Sequence, residues 1–320
     1  MPSKTYGERW QILRQYKESG QSHIFVVRDL HGGERNEFIL KRLKNKNRIK
    51  RFEREIDAIQ SLEHPNIAPI VDFSLDPCPY YVSNFYRGPI LEEKAPLPVL
   101  EALTIFEQLV DAIAFAHERK VIHRDLKPEN IVFDENDKPI IIDFGLCYFL
   151  KEGSTRLTSS SEPIGSHYYM APELEGGQNP KITPAIDIYA LGKILYFILF
   201  KKHIVRENIE EGNRLERLSY KSQLEYISER ILKRTVVLNP DDRYTASDLL
   251  IETQNIKQLI IEHYYPGLAG SKCRYCGEGV YKEYPKATLP IRTPGVEQDG
   301  TFRVFVCSRC MNVQWFLGES

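Results

Sequence analysis

The residues best suited to chemistry lie in His123 to Asn130, HRDLKPEN, followed further on by Asp143-Phe144-Gly145. Transfer of a phosphoryl group from a nucleotide asks little covalent chemistry of a protein. It needs one carboxylate to orient the attacking hydroxyl, another to hold Mg²⁺ on the phosphates, and cations to spread the charge. Asp125 and Asp143 fit the two acidic roles. Asn130 stands on the same loop as Asp125, placed to take a second metal ion, and Lys127 between them is within reach of the transferred phosphate.

This block, the DFG and a later Ala171-Pro172-Glu173 resemble the catalytic loop, metal-binding motif and APE motif of the eukaryotic-type serine/threonine protein kinases. An Asp beside an Arg is ordinarily a surface ion pair, and a lone DFG carries little information; the three motifs in order carry much more. The resemblance implies an α+β bilobal fold with a β-rich N-lobe over residues 1–86 and a helical C-lobe over 87–265. It also implies ATP and Mg²⁺ as cofactors and a protein substrate with a Ser or Thr acceptor.

The elements that must position these groups can be read along the chain. Trp10–Leu13, Ile24–Arg28 and Phe38–Leu40 read as strands, with Gly32-Gly33 as the turn between the last two. In the family the first hairpin carries three glycines over the phosphates; here Lys17, Ser19 and Ser22 occupy those places, with Gly20 beside them. The small residues Ser19, Gly20 and Ser22 still permit close backbone approach, so the loop is expected to bind nucleotide in altered form. Lys41, in FILK, matches the family's phosphate lysine. Arg51–Leu62 places Phe52, Ile56, Ile59 and Leu62 on one helical face, and Glu55 flanks that face, pointing toward Lys41.

Tyr80–Tyr86 reads as the strand leading to the inter-lobe hinge. The resemblance puts Ser83 at the gatekeeper position and Ile39 at the roof of the adenine pocket, and assigns Ile24, Asn84 and Val132 to the nucleotide site. Pro98–His117 has the period of a long helix, in which His117 reads as a packed or half-exposed residue rather than a ligand. Pro139–Ile142 reads as a strand ending at Asp143. The polar run holding Thr155, Thr158, Ser159, Ser160 and Ser161 corresponds to the family's activation segment. Arg124, next to the catalytic aspartate, implies pairing with a phosphorylated residue of that segment. Ser166 stands where these kinases carry a threonine that bonds the catalytic aspartate and lysine. Glu173 is expected to pair with Arg243, and Asp187 to anchor the catalytic loop; Leu215–Tyr264 reads as helices closing the larger lobe.

After Pro266-Gly267 the pattern becomes short, turn-rich and aromatic. Cys273-Arg-Tyr-Cys276 and Cys307-Ser-Arg-Cys310 supply two thiolate pairs, and a C-x-x-C turn sets two soft ligands on one side of a tetrahedral ion. The pattern resembles a zinc ribbon over 266–320, with Phe302–Val306 and Val313–Phe316 as strands. Disulfides, a redox pair or an iron centre are the other uses of such cysteines. Cys78 and Cys147 stand alone and read as packing residues.

Composition bounds the rest. The chain has 320 residues, 42% of them hydrophobic and 27% charged, with 43 Lys and Arg against 44 Asp and Glu. This balance gives no global basic field for nucleic acid or an anionic membrane. The C-terminal segment has a mild basic excess, compatible with weak nucleic-acid contact only. Lys4, Glu8 and Arg9 interrupt any signal-like run, and apolar stretches such as Ile194–Phe200 are short of a bilayer span, so a cytoplasmic protein is expected. A pseudokinase scaffold that recruits partners through the ribbon is the alternative to an active enzyme.

Overall fold

The computed structural model describes residues 5–18, 22–32, 37–144, 148–149, 168–175, 182–204, 223–264, 271–272, 280–293, 296–307 and 313–317. It divides into two compact units, residues 1–252 and 253–320.

The first unit begins with an antiparallel six-stranded sheet. Its strands are β1 (Thr5–Tyr6), β2 (Trp10–Glu18), β3 (Ser22–Asp29), β4 (Glu37–Leu43), β5 (Ile70–Ser74) and β6 (Tyr80–Asn84), in spatial order β1-β2-β3-β4-β6-β5. β-Branched and aromatic residues run consecutively through β3 (Ile24 to Val27) and β4 (Phe38 and Ile39), and Val26 and Val27 are both fully buried, so both faces of β3 are covered there. One face buries Tyr6, Trp10, Val27, Leu40, Tyr80 and Val82 as a single cluster. Arg9 closes the edge with two bonds to Asp29, at 2.9 and 2.7 Å. Helix α1 (Ile49–Gln60) buries Phe52, Glu55, Ile56, Ala58 and Ile59. Those positions recur at helical spacing, so a carboxylate is built into the apolar stripe.

Below the hinge come α2 (Leu91–Lys94), α3 (Val99–Glu118) and β7 (Val121–Ile122). β8 (Ile131–Phe133) pairs with β9 (Pro139–Ile141), and β10 (Tyr148–Phe149) pairs with β7. The helical core is α3 packed with α4 (Ala185–Phe200). In α4 almost every residue from Ile186 to Leu199 is buried, the pattern of a helix surrounded on all sides. Each Leu, Ile or Phe so buried contributes about 1.5–3 kcal/mol from removal of apolar surface. α5 (Gln223–Ile227), α6 (Lys233–Thr235) and α7 (Ala246–Tyr264) follow. Gly192 admits α6 closely: a Cβ there would lie 2.2 Å from Thr235 Oγ1.

Arg243 is the clamp of this lobe. Its guanidinium, fully inaccessible, makes a bidentate pair with Glu173 at 2.7 and 2.8 Å and donates to the carbonyls of Val237, Ala185 and Leu238. A planar fork matched to a carboxylate and three carbonyls satisfies a buried cation that would otherwise be costly.

The second unit carries the antiparallel sheet β11 (Ser271–Lys272), β12 (Val280–Thr293), β13 (Val296–Cys307) and β14 (Val313–Leu317). Register pairs Lys272 with Val280, Tyr281 with Cys307, and Val306 with Val313. One isolated cysteine departs from expectation: Cys78 is an exposed free thiol. It sits in the Pro77-Cys78-Pro79 turn between β5 and β6, where the chain runs over the surface. Cys147 lies outside the described residues. Among those residues no helix is long and apolar enough to cross a membrane.

Candidate active site

The catalytic loop is held from below by one buried carboxylate. Asp187, in the first turn of α4, is fully buried. Its Oδ2 and Oδ1 accept the backbone N–H groups of His123 and Arg124, each at 2.8 Å. The same Oδ2 lies 2.8 Å from Nε2 of His117 on α3. An ionised carboxylate only accepts, so this nitrogen carries the proton. Burial alone would push the Asp187 carboxyl up; the bond and charge of His117, with His123 and the Arg124 N–H, outweigh it and leave the group below its ordinary value. Arg124 itself sits at φ +70°, a left-handed conformation that a non-glycine residue holds only when surrounding bonds impose it.

His123 is buried and neutral in tendency, because loss of solvation lowers its proton affinity against the opposing fields of Asp187, Asp125 and Asp143. Its Nδ1 accepts the Asp125 N–H at 3.2 Å, and its ring lies 4.4 Å from the ring of Phe144.

Asp125 is thereby aimed from a rigid loop. Lys127 Nζ lies 2.9 Å from its Oδ2, and Asn130 Nδ2 donates to its backbone oxygen at 2.9 Å and to Oδ2 at 3.2 Å. Asn130 ties the loop onward, since its carbonyl accepts the Ile142 N–H at 2.9 Å, one residue before Asp143. Strand β9 is bound in turn to the segment after α1: Asn66 Nδ2 donates to Pro139 O at 2.7 Å and Ala68 N–H to Ile141 O at 3.0 Å. Asp143, at φ +67°, is the second left-handed non-glycine residue of the site.

From above, Lys41 reaches both acidic groups. Its Nζ lies 2.7 Å from Glu55 Oε1 and 2.7 Å from Asp143 Oδ1. Burial works against its charge, but Asp143 and Glu55, with Tyr81, more than compensate and hold the ammonium well above its ordinary value. Ile24 is Lys41's cross-strand neighbour on β3, and Ile39 faces Ser83 on β6. Ile39 and Ser83, which the resemblance puts at the roof and gatekeeper positions, are thus direct cross-strand partners on one face of the sheet, so the larger one sits against the smaller. Val132 is buried with Ala68 and Ile140, and Tyr86 and Ile142 pack on them, forming an apolar floor. Asn84 ends β6, opposite Phe38, and Ser22 is buried at the start of β3.

Beside the hinge a cavity of about 430 Å³ is lined by Arg14, Tyr16, Glu37, Phe85, Tyr86, Arg87 and Gly88. The Tyr16 and Phe85 rings meet edge to face at 5.7 Å. Gly88 allows the chain to pass: a Cβ would lie 2.2 Å from Phe133 O.

The structure therefore brings together Lys41, Glu55, Asp125, Lys127, Asn130 and Asp143, with Ile24, Asn84 and Val132 on the surrounding strands. Ser19, Gly20, Thr155, Thr158, Ser159, Ser160, Ser161, Ser166, Cys273, Cys276 and Cys310 lie outside the described residues, as do the side chains of Lys17 and Cys307. Sequence reading missed Tyr81, whose hydroxyl donates to Glu55 Oε1 at 2.9 Å, and the His117–Asp187 bond. Tyr81 carried one usable signal, its place two residues before Ser83 and hence on the same strand face.

A two-lobed chain with a lysine–glutamate pair above and two loop carboxylates below defines a protein kinase. The chain belongs to the protein kinase domain family, which matches residues 20–253. It is 37% identical to the serine/threonine-protein kinase PrkC of Bacillus subtilis over 206 residues, 61% of this chain and 31% of that protein. It is 29% identical to serine/threonine-protein kinase D of Synechocystis over 265 residues, 77% of this chain and 51% of that one. With the probable serine/threonine-protein kinase PknB of Lactococcus lactis it shares 33% over 205 residues, 61% and 32% of the two chains. The chain thus spans about a third to a half of the length of these relatives.

The family implies ATP and Mg²⁺, and the donor set fits the metal. Asp143 offers a carboxylate, and Asn130, whose Nδ2 is spent on Asp125, offers its amide oxygen. Among the described residues no group of three His, Cys, Asp or Glu side chains converges on a metal position. Mg²⁺ asks for less than that, because it takes one or two protein oxygens and completes its shell with phosphates and water.

Proposed function

We propose that the chain is an active protein kinase that transfers the terminal phosphoryl group of ATP, with Mg²⁺, to Ser or Thr of protein substrates. The observation that carries this reading is the joint presence of Lys41–Glu55 at 2.7 Å and of Asp125 held between Lys127 and Asn130. A scaffold that had given up turnover would be under no constraint to keep every one of these charges.

In this reading Asp125 accepts the proton of the substrate hydroxyl, Lys127 offsets negative charge on the group in transit, and Lys41 orients the phosphates. Asp143 and Asn130 would hold Mg²⁺, which supplies charge neutralisation at the phosphate oxygens when bound. Autophosphorylation at one of Thr155, Thr158, Ser159, Ser160 or Ser161 belongs to the same proposal, on the strength of Arg124 beside Asp125 and its imposed backbone conformation. Incubation with labelled ATP and Mg²⁺ is expected to place label on an added protein acceptor as phosphoserine or phosphothreonine, and on one of those five residues. Nucleotide binding without any transfer would replace the enzyme with the scaffold.

For residues 266–320 the reading is a structural Zn²⁺ held by Cys273, Cys276, Cys307 and Cys310. Support comes from the strand register: Lys272 and Val280, which flank one C-x-x-C segment in the sequence, lie at the same end of the sheet as Val306 and Val313, which flank the other, since Lys272 pairs with Val280, Tyr281 with Cys307 and Val306 with Val313. A closed four-thiolate site would supply stability that so small a unit otherwise lacks. Chelation in the full chain is expected to lower the melting of this unit and release about one Zn²⁺ per chain; identical melting with and without chelator would remove the metal.

A further inference from the structure

We propose that Tyr81 is a positioning residue for phosphoryl transfer, holding Glu55 in its productive orientation through its hydroxyl independently of Lys41. The proposal rests on the reading that Lys41 and Glu55 serve the nucleotide.

Four contacts meet at one oxygen and one ring. Glu55 Oε1 accepts both Lys41 Nζ at 2.7 Å and Tyr81 Oη at 2.9 Å. The Tyr81 ring stacks on Phe52 of α1, centroids 5.5 Å apart and planes 23° from parallel, and Lys41 Nζ lies 5.6 Å from the same ring. Register explains how this arises: Tyr81 is the cross-strand partner of Lys41, so both side chains leave the sheet on one face and side by side. Tyr81 thus bolts β6 to α1 twice, by its ring at Phe52 and by its hydroxyl at Glu55.

The second bolt matters because Lys41 has two duties. In this structure its ammonium bridges Glu55 and Asp143, each at 2.7 Å. When phosphates compete for Lys41 and a cation competes for Asp143, the lysine must redistribute its three donors. A Glu55 held by Lys41 alone would be loosened at that moment. The Tyr81 hydroxyl makes no bond that the nucleotide displaces, so Glu55, and with it α1, stays in register while Lys41 exchanges partners. Burial and the nearby Glu55 charge keep the phenol protonated well above its ordinary range, so the donor is present throughout the working pH range.

Tyr81→Phe isolates the hydroxyl, since the ring and its stack on Phe52 remain. The expected result is a fall of about tenfold in kcat/KM for ATP, with cooperative melting retained at a somewhat lower temperature, because a hydrogen bond to a charged group is lost. Because the effect runs through Glu55, adding Tyr81→Phe to Glu55→Gln is expected to lower kcat/KM little further than Glu55→Gln alone. A packing role would leave Tyr81→Phe neutral, and the proposal then fails. Equal, fully additive losses in the two backgrounds would also overturn it. If Glu55→Gln itself kept wild-type kcat/KM for ATP, the underlying assignment of Lys41 and Glu55 would be the part at fault.

Discussion

Asp125→Asn is expected to lower the rate of phosphoryl transfer by about 10²- to 10⁴-fold, the range for removal of a positioned general base, while the protein binds nucleotide and melts as wild type does. The substitution changes one oxygen to an amide nitrogen and leaves the shape unaltered. Asp125 is about one-fifth exposed, and the described side chains that meet it, Lys127 at 2.9 Å and Asn130 at 3.2 Å, lie on the same short loop, so the loss is local to that loop. On the proposed mechanism, what is lost is the anion that takes the hydroxyl proton, together with the orientation that Lys127 and Asn130 impose on it. The amide would also face Asn130 Nδ2 with a donor in one of its two rotamers, which weakens the loop only locally. Steady-state transfer to a protein acceptor, with nucleotide affinity and melting measured on the same samples, checks the separation. Retention of rate within tenfold would move the proton acceptor elsewhere and undo the assignment of Asp125.

The parts of this site that sequence could reach are those whose chemistry is local. HRDLKPEN places Asp125, Lys127 and Asn130 on one short loop, and no folding is needed to see that they must act together. Strand and helix periods placed Lys41 at the end of an apolar strand and Glu55 beside an apolar helical stripe. In the structure these become β4 (Glu37–Leu43) and α1 (Ile49–Gln60), with Glu55 inside the stripe. The His117–Asp187 bond was beyond reach, because the two residues lie on different helices and helical period reports burial without naming a partner. His117 reads as packed or half-exposed, and only the fold shows what it meets. Tyr81 was hidden for a related reason: a tyrosine in an apolar strand reads as core, and its hydroxyl acquires a role only once the register sets it beside Lys41.

The long hairpin of the second unit was obscured by chemistry that looks like strand breaking. Val280–Thr293 contains Pro285 and Pro290, which cannot donate to a ladder. The structure accommodates the first at a register shift between Tyr284 and Ala287, and places the second opposite Asp299. Period-two reading found only the clean stretches of β13 and β14, where no proline interrupts the alternation.

Asp187→Asn is expected to cost about 3–5 kcal/mol of folding free energy, the scale for removing one partner from a buried charged network, and to abolish transfer even in the folded fraction. The carboxylate is fully buried and spends both oxygens on the His123 and Arg124 N–H groups and on His117. An amide supplies one acceptor where two backbone donors wait, and turns its own donor toward one of them or toward His117. The released backbone is the stretch in which Arg124 sits at φ +70°, so the loop carrying Asp125 loses the bonds that impose its shape. The pH dependence follows from linkage. Folding lowers the Asp187 pKa below its ordinary value, so the native state binds fewer protons there than the unfolded chain does. The contribution is fully present above the unfolded value of about 3.9 and disappears as pH falls through the lower folded value. The stability difference between wild type and Asp187→Asn is therefore expected to be constant from neutrality down to about pH 5 and to shrink below about pH 4. Urea denaturation of both proteins across that range measures it; a difference that did not shrink below about pH 4 would show that the Asp187 carboxylate is not the source of the stability.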